Sequence, residues 1–294
     1  MMYTLRNMLA ALKAEYFILS GQVKKRQKLI HKNGYILSIY FHNPSSKNFK
    51  SCIKWLVRNN YSFLSMDEII SIINNANQIP SNKVLITVDD GWRDNYSNIA
   101  AIANEYKVPV TIFCTTEPII NGDRFWWSYI SSALKYGIKT KDVQYLKTIP
   151  NKERLKYIDK IKHKVLPKRE AMTMEELQEI AESPYVTIGS HTVTHPILNN
   201  CTDAEAKFEI NESKNILETY LSKNIKYFSY PNGDFSNREI EYVKNAGYEI
   251  SFGVEPKYLD IHSVKNRYNL PRFEILDNAS FAENICRITG LWFN

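Results

Sequence analysis

Short apolar runs recur along the chain, each separated from the next by a longer amphipathic stretch. The runs are YILSIYF (35–41), VLITV (84–88), VTIF followed by Cys114 (110–114), YVTIG (185–189), YFSY (227–230) and YEISF (248–252). Rich in β-branched and aromatic side chains and bounded by polar or turn residues, they read as buried strands. The stretches between them carry apolar positions at three- to four-residue spacing. They predict helices over 47–60, 66–76, 95–106, 203–222 and 236–246, with a lysine-rich helical region filling about 126–182. The helix at 66 has a start signal, Ser65 followed three residues later by Glu68, which is a capping box. Strand-then-helix alternation argues for parallel strands joined by crossover helices. Seven or so strands in one α/β chain fit a barrel better than an open sheet, and no repeat, low-complexity segment or linker divides it.

The first residues follow a different pattern. Leu5, Met8, Leu9, Leu12, Tyr16 and Leu19 recur at helical spacing over 3–20, Gly21 is a natural stop, and the basic run KKRQKLIHK (24–32) follows. Residues 1–34 are therefore set apart as an amphipathic helix with a basic segment, and 35–294 as the main domain. Such a helix can lie on a membrane surface carrying anionic lipid. The simpler expectation is that its stripe covers part of the main domain's core.

The net charge of +7 raises the question of an anionic partner. The second basic concentration, along 147–169, has helical charge spacing and reads as a solvated face. No zinc-finger, basic-zipper or RNA-recognition signature accompanies either patch, so nucleic acid is not an expected partner. No stretch reaches the roughly 20 apolar residues of a membrane-spanning helix. Lys13 and Glu15 interrupt the N-terminal apolar segment and no small-residue cleavage site follows, so it does not read as a secretion signal. The four cysteines are scattered without a C-x-x-C pair, which fits a reducing compartment. A cytoplasmic protein, or one peripheral to a membrane through residues 3–20, is expected. Oligomeric state is not legible.

Three clusters carry the candidate chemistry, each at the end of a predicted strand, where parallel α/β barrels place their reactive groups. The first is VDDG: Asp89 and Asp90 lie side by side directly after a buried run. Two adjacent carboxylates repel, and burying them is costly unless something positive compensates. The second is TIGSHTVTHP (187–196), in which His191 and His195 are four apart and, in a helical turn, would share one face. Two imidazoles and one carboxylate oxygen make a three-ligand site with open positions, as a catalytic zinc requires. One aspartate would then ligate the ion and the other accept a proton; spacing alone does not decide which. The third is FSYPNGDFS (228–236), where Pro231 and Gly233 set a turn whose backbone N–H groups could serve an oxyanion.

The ordered set V-D-D-G, S-H-T-x-T-H-P and Y-P-N-G resembles the polysaccharide deacetylases, the NodB-type carbohydrate esterases. IYFHNP near 39–44, RFWWSYI (124–130) and LPRFEI (270–275) extend the resemblance over roughly 35–276. It implies a distorted (β/α)7 barrel and a divalent ion, usually Zn2+, with Co2+, Ni2+ or Mn2+ as other occupants. The implied reaction is hydrolysis of an N-acetyl group on an amino sugar in a polysaccharide, an oligosaccharide or a glycan precursor. It implies Asp89 as base, Asp90, His191 and His195 as metal ligands, and the Asn232 backbone N–H as oxyanion donor. Tyr230, Pro231, Trp92, Trp126 and Trp127 would meet the sugar, although the two neighbouring tryptophans also suit an ordinary core helix. The chain departs from the family pattern at Val88 and Trp92, and it lacks the arginine that often opens the third motif. Arg272 is the candidate to brace Asp89 in its place. No histidine follows Arg272 to act as the usual general acid. His42, at the end of the first strand, is preferred for that role over His262. Two other readings stay open: removal of O-acetyl esters, and a carbohydrate-binding protein that has lost turnover.

Overall fold

The apolar runs become strands of one parallel sheet. In the computed structural model, which describes residues 5–75, 79–166 and 168–293, these are β1 (Ile36–Phe41), β2 (Ser62–Leu64), β3 (Lys83–Val88), β4 (Val110–Cys114), β5 (Val186–Ser190), β6 (Tyr227–Ser229), β7 (Ile250–Phe252) and β8 (Phe273–Glu274). β1 and β4 are buried at every position, as expected of parallel strands covered on both faces. The order is β7-β6-β5-β4-β3-β1-β8. A parallel bridge from Phe252 to Leu270, just ahead of β8, brings the two edges together. The result is a curled, barrel-like ring of seven strands. β2 stands outside the ring path, pairing with the start of β3 (Ser62 opposite Lys83) while β4 pairs with its end (Thr87 opposite Thr111).

Thirteen α-helices among the described residues complete the chain: α1 (Leu5–Leu19), α2 (Gln22–Asn33), α3 (Ser46–Arg58), α4 (Met66–Asn74), α5 (Ala101–Tyr106), α6 (Thr116–Asn121), α7 (Trp126–Lys135), α8 (Val143–Leu146), α9 (Asn151–Lys162), α10 (Met174–Ala181), α11 (Asp203–Leu221), α12 (Asn237–Asn245) and α13 (Phe281–Ile288). The expected capping box opens α4: the Glu68 N–H donates to Ser65 Oγ at 3.3 Å, and the Ser65 N–H to Glu68 Oε2 at 2.7 Å. The lysine-rich region between β4 and β5 holds α7 to α10 and has its own apolar cluster around Trp126, Ile130 and Ile158.

The structure corrects the sequence reading at three places. β2 and β8, of three and two residues, are too short to leave a periodic signal. The basic run is itself a helix, α2, entered through Gly21 at φ 76°. Most important, the stripe on α1 faces away from the core. Leu5, Met8, Leu9, Leu12, Tyr16 and Leu19 are each more than half exposed, with Leu19 at 84%. The contact is made instead by Ala14, Phe17 and Ile18, which join Ala282, Ile285 and Cys286 of α13 in one cluster. The helix is apolar on two sides, and periodicity cannot say which one turns inward.

Candidate active site

The first pair of functional side chains is set by how β3 ends. Asp89 still belongs to the sheet, its N–H donating to the Phe41 carbonyl at 2.9 Å. Asp90 and Gly91 then adopt left-handed conformations, φ 78° and 80°. Glycine suits the second because its φ is positive and a Cβ would lie 3.2 Å from Cys114 Sγ. The turn separates the two carboxylates, which meet different partners.

Asp89, 3% exposed, is gripped by Arg272. Arg272 Nη1 donates to Oδ1 at 2.9 Å and Nη2 to Oδ2 at 2.8 Å, a bidentate pair. The same guanidinium donates to Thr87 Oγ1, Ser229 Oγ and the Gly253 carbonyl, and it stacks 4.4 Å from the Tyr40 ring centre. Burial by itself would raise the Asp89 carboxyl. The positive field of Arg272, with His191 and the guanidinium hydrogen bonds, outweighs it and holds the group below the usual carboxylate range.

Asp90 has no such cation. Its Oδ2 accepts from the Trp92 indole N–H at 2.9 Å. Its Oδ1 faces His191 Nε2 at 3.6 Å and His195 Nε2 at 3.5 Å, too far for good hydrogen bonds. His191 Nδ1 lies 2.7 Å from the Ser229 carbonyl. A carbonyl only accepts, so that nitrogen carries the proton and Nε2 presents a lone pair. Burial, followed by the neighbouring His191 and Arg154 charges, pushes the His195 imidazole well below its ordinary pKa and so toward the neutral form.

The ligand-capable atoms of these three residues lie within 4.8 Å of one another. Donors placed tetrahedrally around one ion at metal–ligand distances near 2.1 Å would be about 3.4 Å apart. The separations of Asp90 Oδ1 from His191 Nε2, 3.6 Å, and from His195 Nε2, 3.5 Å, match that value.

The histidines do not meet through a helical turn, as their spacing invited. Residues 191–197 are irregular, with Thr192 at φ 67° and His195 at φ 53°. What holds the loop is Glu209 of α11, 3% exposed. It accepts from the Val193 and Thr194 N–H groups at 2.9 and 2.8 Å and from Thr194 Oγ1 at 2.6 Å. Burial pushes its carboxyl upward against these donors. Sequence reasoning missed Glu209, although a signal existed: it shares the inward face of its helix with Ala206, Ile210 and Ser213.

A cavity of about 460 Å³ takes in Asp89, Asp90, His191 and His195. Trp92, Trp126 and Trp127 line it, and the Trp127 ring packs 4.6 Å from that of His195. Trp126 combines both expectations, reaching the cavity while its indole N–H holds the His195 carbonyl at 3.0 Å from within a core cluster. His42 and Asn232 also line the cavity. Two expected contacts are not brought there. Tyr230 is wholly buried, stacked on Phe235, with its hydroxyl donating to the Tyr268 carbonyl at 3.1 Å. Pro231 is buried in the turn and is not part of the lining. The motif that contains them shapes the turn: Asn232 takes φ 58°, and a Cβ on Gly233 would collide with Val254. His262 lines a separate cavity with His31 and Tyr35.

Lys147 and Asp277 are further cavity residues that the sequence did not mark. Lys147 Nζ donates to Asn232 Oδ1, linking the inserted helical region to the third turn. Asp277 accepts from the Asn43 N–H at 3.0 Å, and burial raises its carboxyl. It follows β8 as Asp89 follows β3, so the strand-end rule could have found it had β8 been visible.

Residues 76–251 match the sequence profile of the polysaccharide deacetylases. YxkH of Bacillus subtilis (strain 168), named for the same family, is 26% identical over 211 residues. The match spans 71% of this chain but 58% of that relative, less than two thirds of its length. The poly-β-1,6-N-acetyl-D-glucosamine N-deacetylase of Staphylococcus aureus (strain N315) is 23% identical over 248 residues, 81% of this chain and 69% of its own. Among solved structures, the Streptococcus pyogenes deacetylase PplD, in complex with acetate, superposes with a TM-score of 0.61 at 17% identity, covering 87% of this chain and 98% of its own. IcaB from Ammonifex degensii gives 0.61 at 15%, covering 87% and 97%. Those structures share the curled parallel fold. With the profile running from ahead of β3 into β7 and taking in Asp89, Asp90, His191 and His195, the chain belongs to the polysaccharide deacetylase family.

Proposed function

We propose that the protein is a hydrolase that removes N-acetyl groups from an amino sugar in a glycan or glycan precursor, working with one divalent metal ion. The observation that carries this reading is the pairing of two sites. An Arg272-braced carboxylate stands next in the chain to a buried carboxylate whose free oxygen faces two imidazole nitrogens.

In this reading Asp90 Oδ1, His191 Nε2 and His195 Nε2 hold the ion. Zn2+ is the first choice, and Co2+, Ni2+ and Mn2+ also suit a donor set of two nitrogens and one oxygen. When bound, the ion supplies Lewis acidity toward an acetamide carbonyl and toward water. Asp89, held ionised, accepts the proton of the attacking water; Arg272 positions it and fixes both of its oxygens. The Asn232 backbone N–H is the donor for the developing oxyanion. The leaving amine must be protonated, and His42, on the cavity wall, takes that role in this reading. Trp92, Trp126 and Trp127 offer rings to the apolar face of a sugar. The relative named for poly-β-1,6-N-acetyl-D-glucosamine supports an N-acetylated glycan as substrate.

The proposal keeps residues 35–294 as the catalytic region and 1–34 as an appended unit. It also keeps a cytoplasmic or membrane-peripheral setting, since all four cysteines are free and buried. No helix among the described residues is long and apolar enough to cross a membrane.

A second reading is O-acetyl ester cleavage at the same site, because an alkoxide needs less protonation to leave than an amide anion. The deciding experiment measures acetate release from N-acetylglucosamine oligomers and from O-acetylated sugars, with and without a chelator. Amine appearing with acetate from the N-acetyl substrates, abolished by chelation and restored by added Zn2+, is the expected result. Acetate from the O-acetyl substrates alone selects the ester reading. Sugar binding without acetate release selects the binding-protein reading.

A further inference from the structure

The outer surface of α1 and α2 has no partner within the protein. At about 100° per residue, Leu5, Met8, Leu9, Leu12, Tyr16 and Leu19 lie on the side of α1 opposite the seam at Ala14, Phe17 and Ile18. Their exposures, from 54% at Met8 to 84% at Leu19, make a contiguous apolar stripe rather than scattered surface residues. α2 repeats the design with a different outer chemistry. Its inner seam is Val23, Gln27 and Ile30, and its exposed positions include Lys24, Lys25, Lys28 and Lys32. None of these four lysines forms an ion pair among the described residues. Between Leu5 and Asn33 the one acidic residue is Glu15.

We propose that this face docks the protein on a lipid bilayer containing anionic phospholipid, with the α1 stripe in the headgroup–acyl boundary and the α2 lysines on lipid phosphates. An apolar face beside unpaired cations is complementary to such a surface, which offers both apolar depth and negative charge. A second copy of the chain is a poor match, since it would bring two lysine-rich surfaces together.

The placement also relates to the cavity. Asn7 of α1 lines a groove of about 500 Å³ together with Asp277, and Asp277 lines the active-site cavity as well. The N-terminal end of α1 and the active site thus share a rim.

The test is flotation of the full chain with phosphatidylcholine vesicles, with and without phosphatidylglycerol. It uses wild type, a Leu9→Glu/Leu12→Glu variant and a Lys24→Glu/Lys28→Glu variant. Wild type is expected to float with the anionic vesicles and to be released by salt. Each lysine near the surface contributes roughly fivefold, so the Lys24→Glu/Lys28→Glu pair should lose about 25-fold or more, and the Leu9→Glu/Leu12→Glu pair, which puts carboxylates into the apolar stripe, should lose about tenfold or more in binding. Circular dichroism and acetate release from a soluble N-acetylglucosamine oligomer should be unchanged. Wild type that ignores phosphatidylglycerol, or variants that bind like wild type, overturns the proposal. So does a concentration-dependent dimer abolished by Leu9→Glu/Leu12→Glu, which assigns the stripe to self-association. Vesicle binding without acetate release from that oligomer would leave the docking face standing and count against the N-acetyl reading instead.

Discussion

Asp89 and Asp90 are neighbours in the chain and almost equally buried, at 3% and 4% exposure, yet their surroundings are opposites. Asp89 receives a bidentate guanidinium and the Ser229 hydroxyl, so its charge is neutralised by the protein itself. Asp90 receives one indole N–H, and its other oxygen faces two imidazole nitrogens beyond hydrogen-bond distance. Burying a carboxylate without a counter-charge is expensive. The difference teaches that partners, not position, set a carboxylate's surroundings: the fold itself supplies the counter-charge of Asp89, and in the proposed reading a metal ion would supply that of Asp90.

The strongest way to break this comparison is to neutralise each aspartate separately. Asp90→Asn should strip the purified protein of bound divalent metal, read by elemental analysis, with acetate release falling to background. Asp89→Asn should keep the metal and still lose about 10²–10⁴ in rate. If both variants lose metal equally, the two carboxylates share one role and the assignment fails.

Removing the brace comes next. Arg272→Met leaves Asp89 buried without its partner and should cost roughly 3–5 kcal/mol in urea unfolding. Adding Asp89→Asn to it should recover a large part of that loss. The pair also predicts a pH signature. The folded-state pKa of Asp89 is lowered, so the stability it contributes is complete above the ordinary carboxylate pKa of about 4 and is lost as the pH falls through the lower folded value. Asp89→Asn should lack this acid-induced component. An identical acid unfolding curve for the two proteins would sink the claim.

A smaller effect sharpens the Asp90 side. Glu209→Gln should loosen the Thr192–His195 loop and weaken metal affinity roughly tenfold, at the low end for residues that orient ligands. The Asp89–Arg272 pair, which has no contact with Glu209, should keep its acid-unfolding component. Unchanged affinity would mean that the loop holds its shape without that carboxylate.

Much of the site was legible because it sits at strand ends, and strands announce themselves. The doublet after VLITV and the histidines after YVTIG were visible as polar interruptions of apolar runs. Arg272 was legible only by its resemblance to a family variant, because β8 is two residues long and carries no pattern. Lys147 belongs to a helical insert whose lysines look alike in sequence, and its link to Asn232 depends on where that insert folds back. Tyr230 shows the opposite error: the motif is real, but its aromatic ring supports the turn from within the core.

By itself the sequence determined the alternation of strand and helix, the parallel pairing that alternation implies and the residues able to ligate or transfer protons, while the barrel came through the family resemblance. Apolar periodicity and side-chain chemistry are local properties, fixed over a few residues. Only the tertiary structure decided that Asp89 meets Arg272 across 183 positions, that two left-handed residues aim His191 and His195 at Asp90, and that the α1 stripe points outward. Such choices depend on which surfaces can pack against each other at the same time, a property of the whole chain that no short stretch contains.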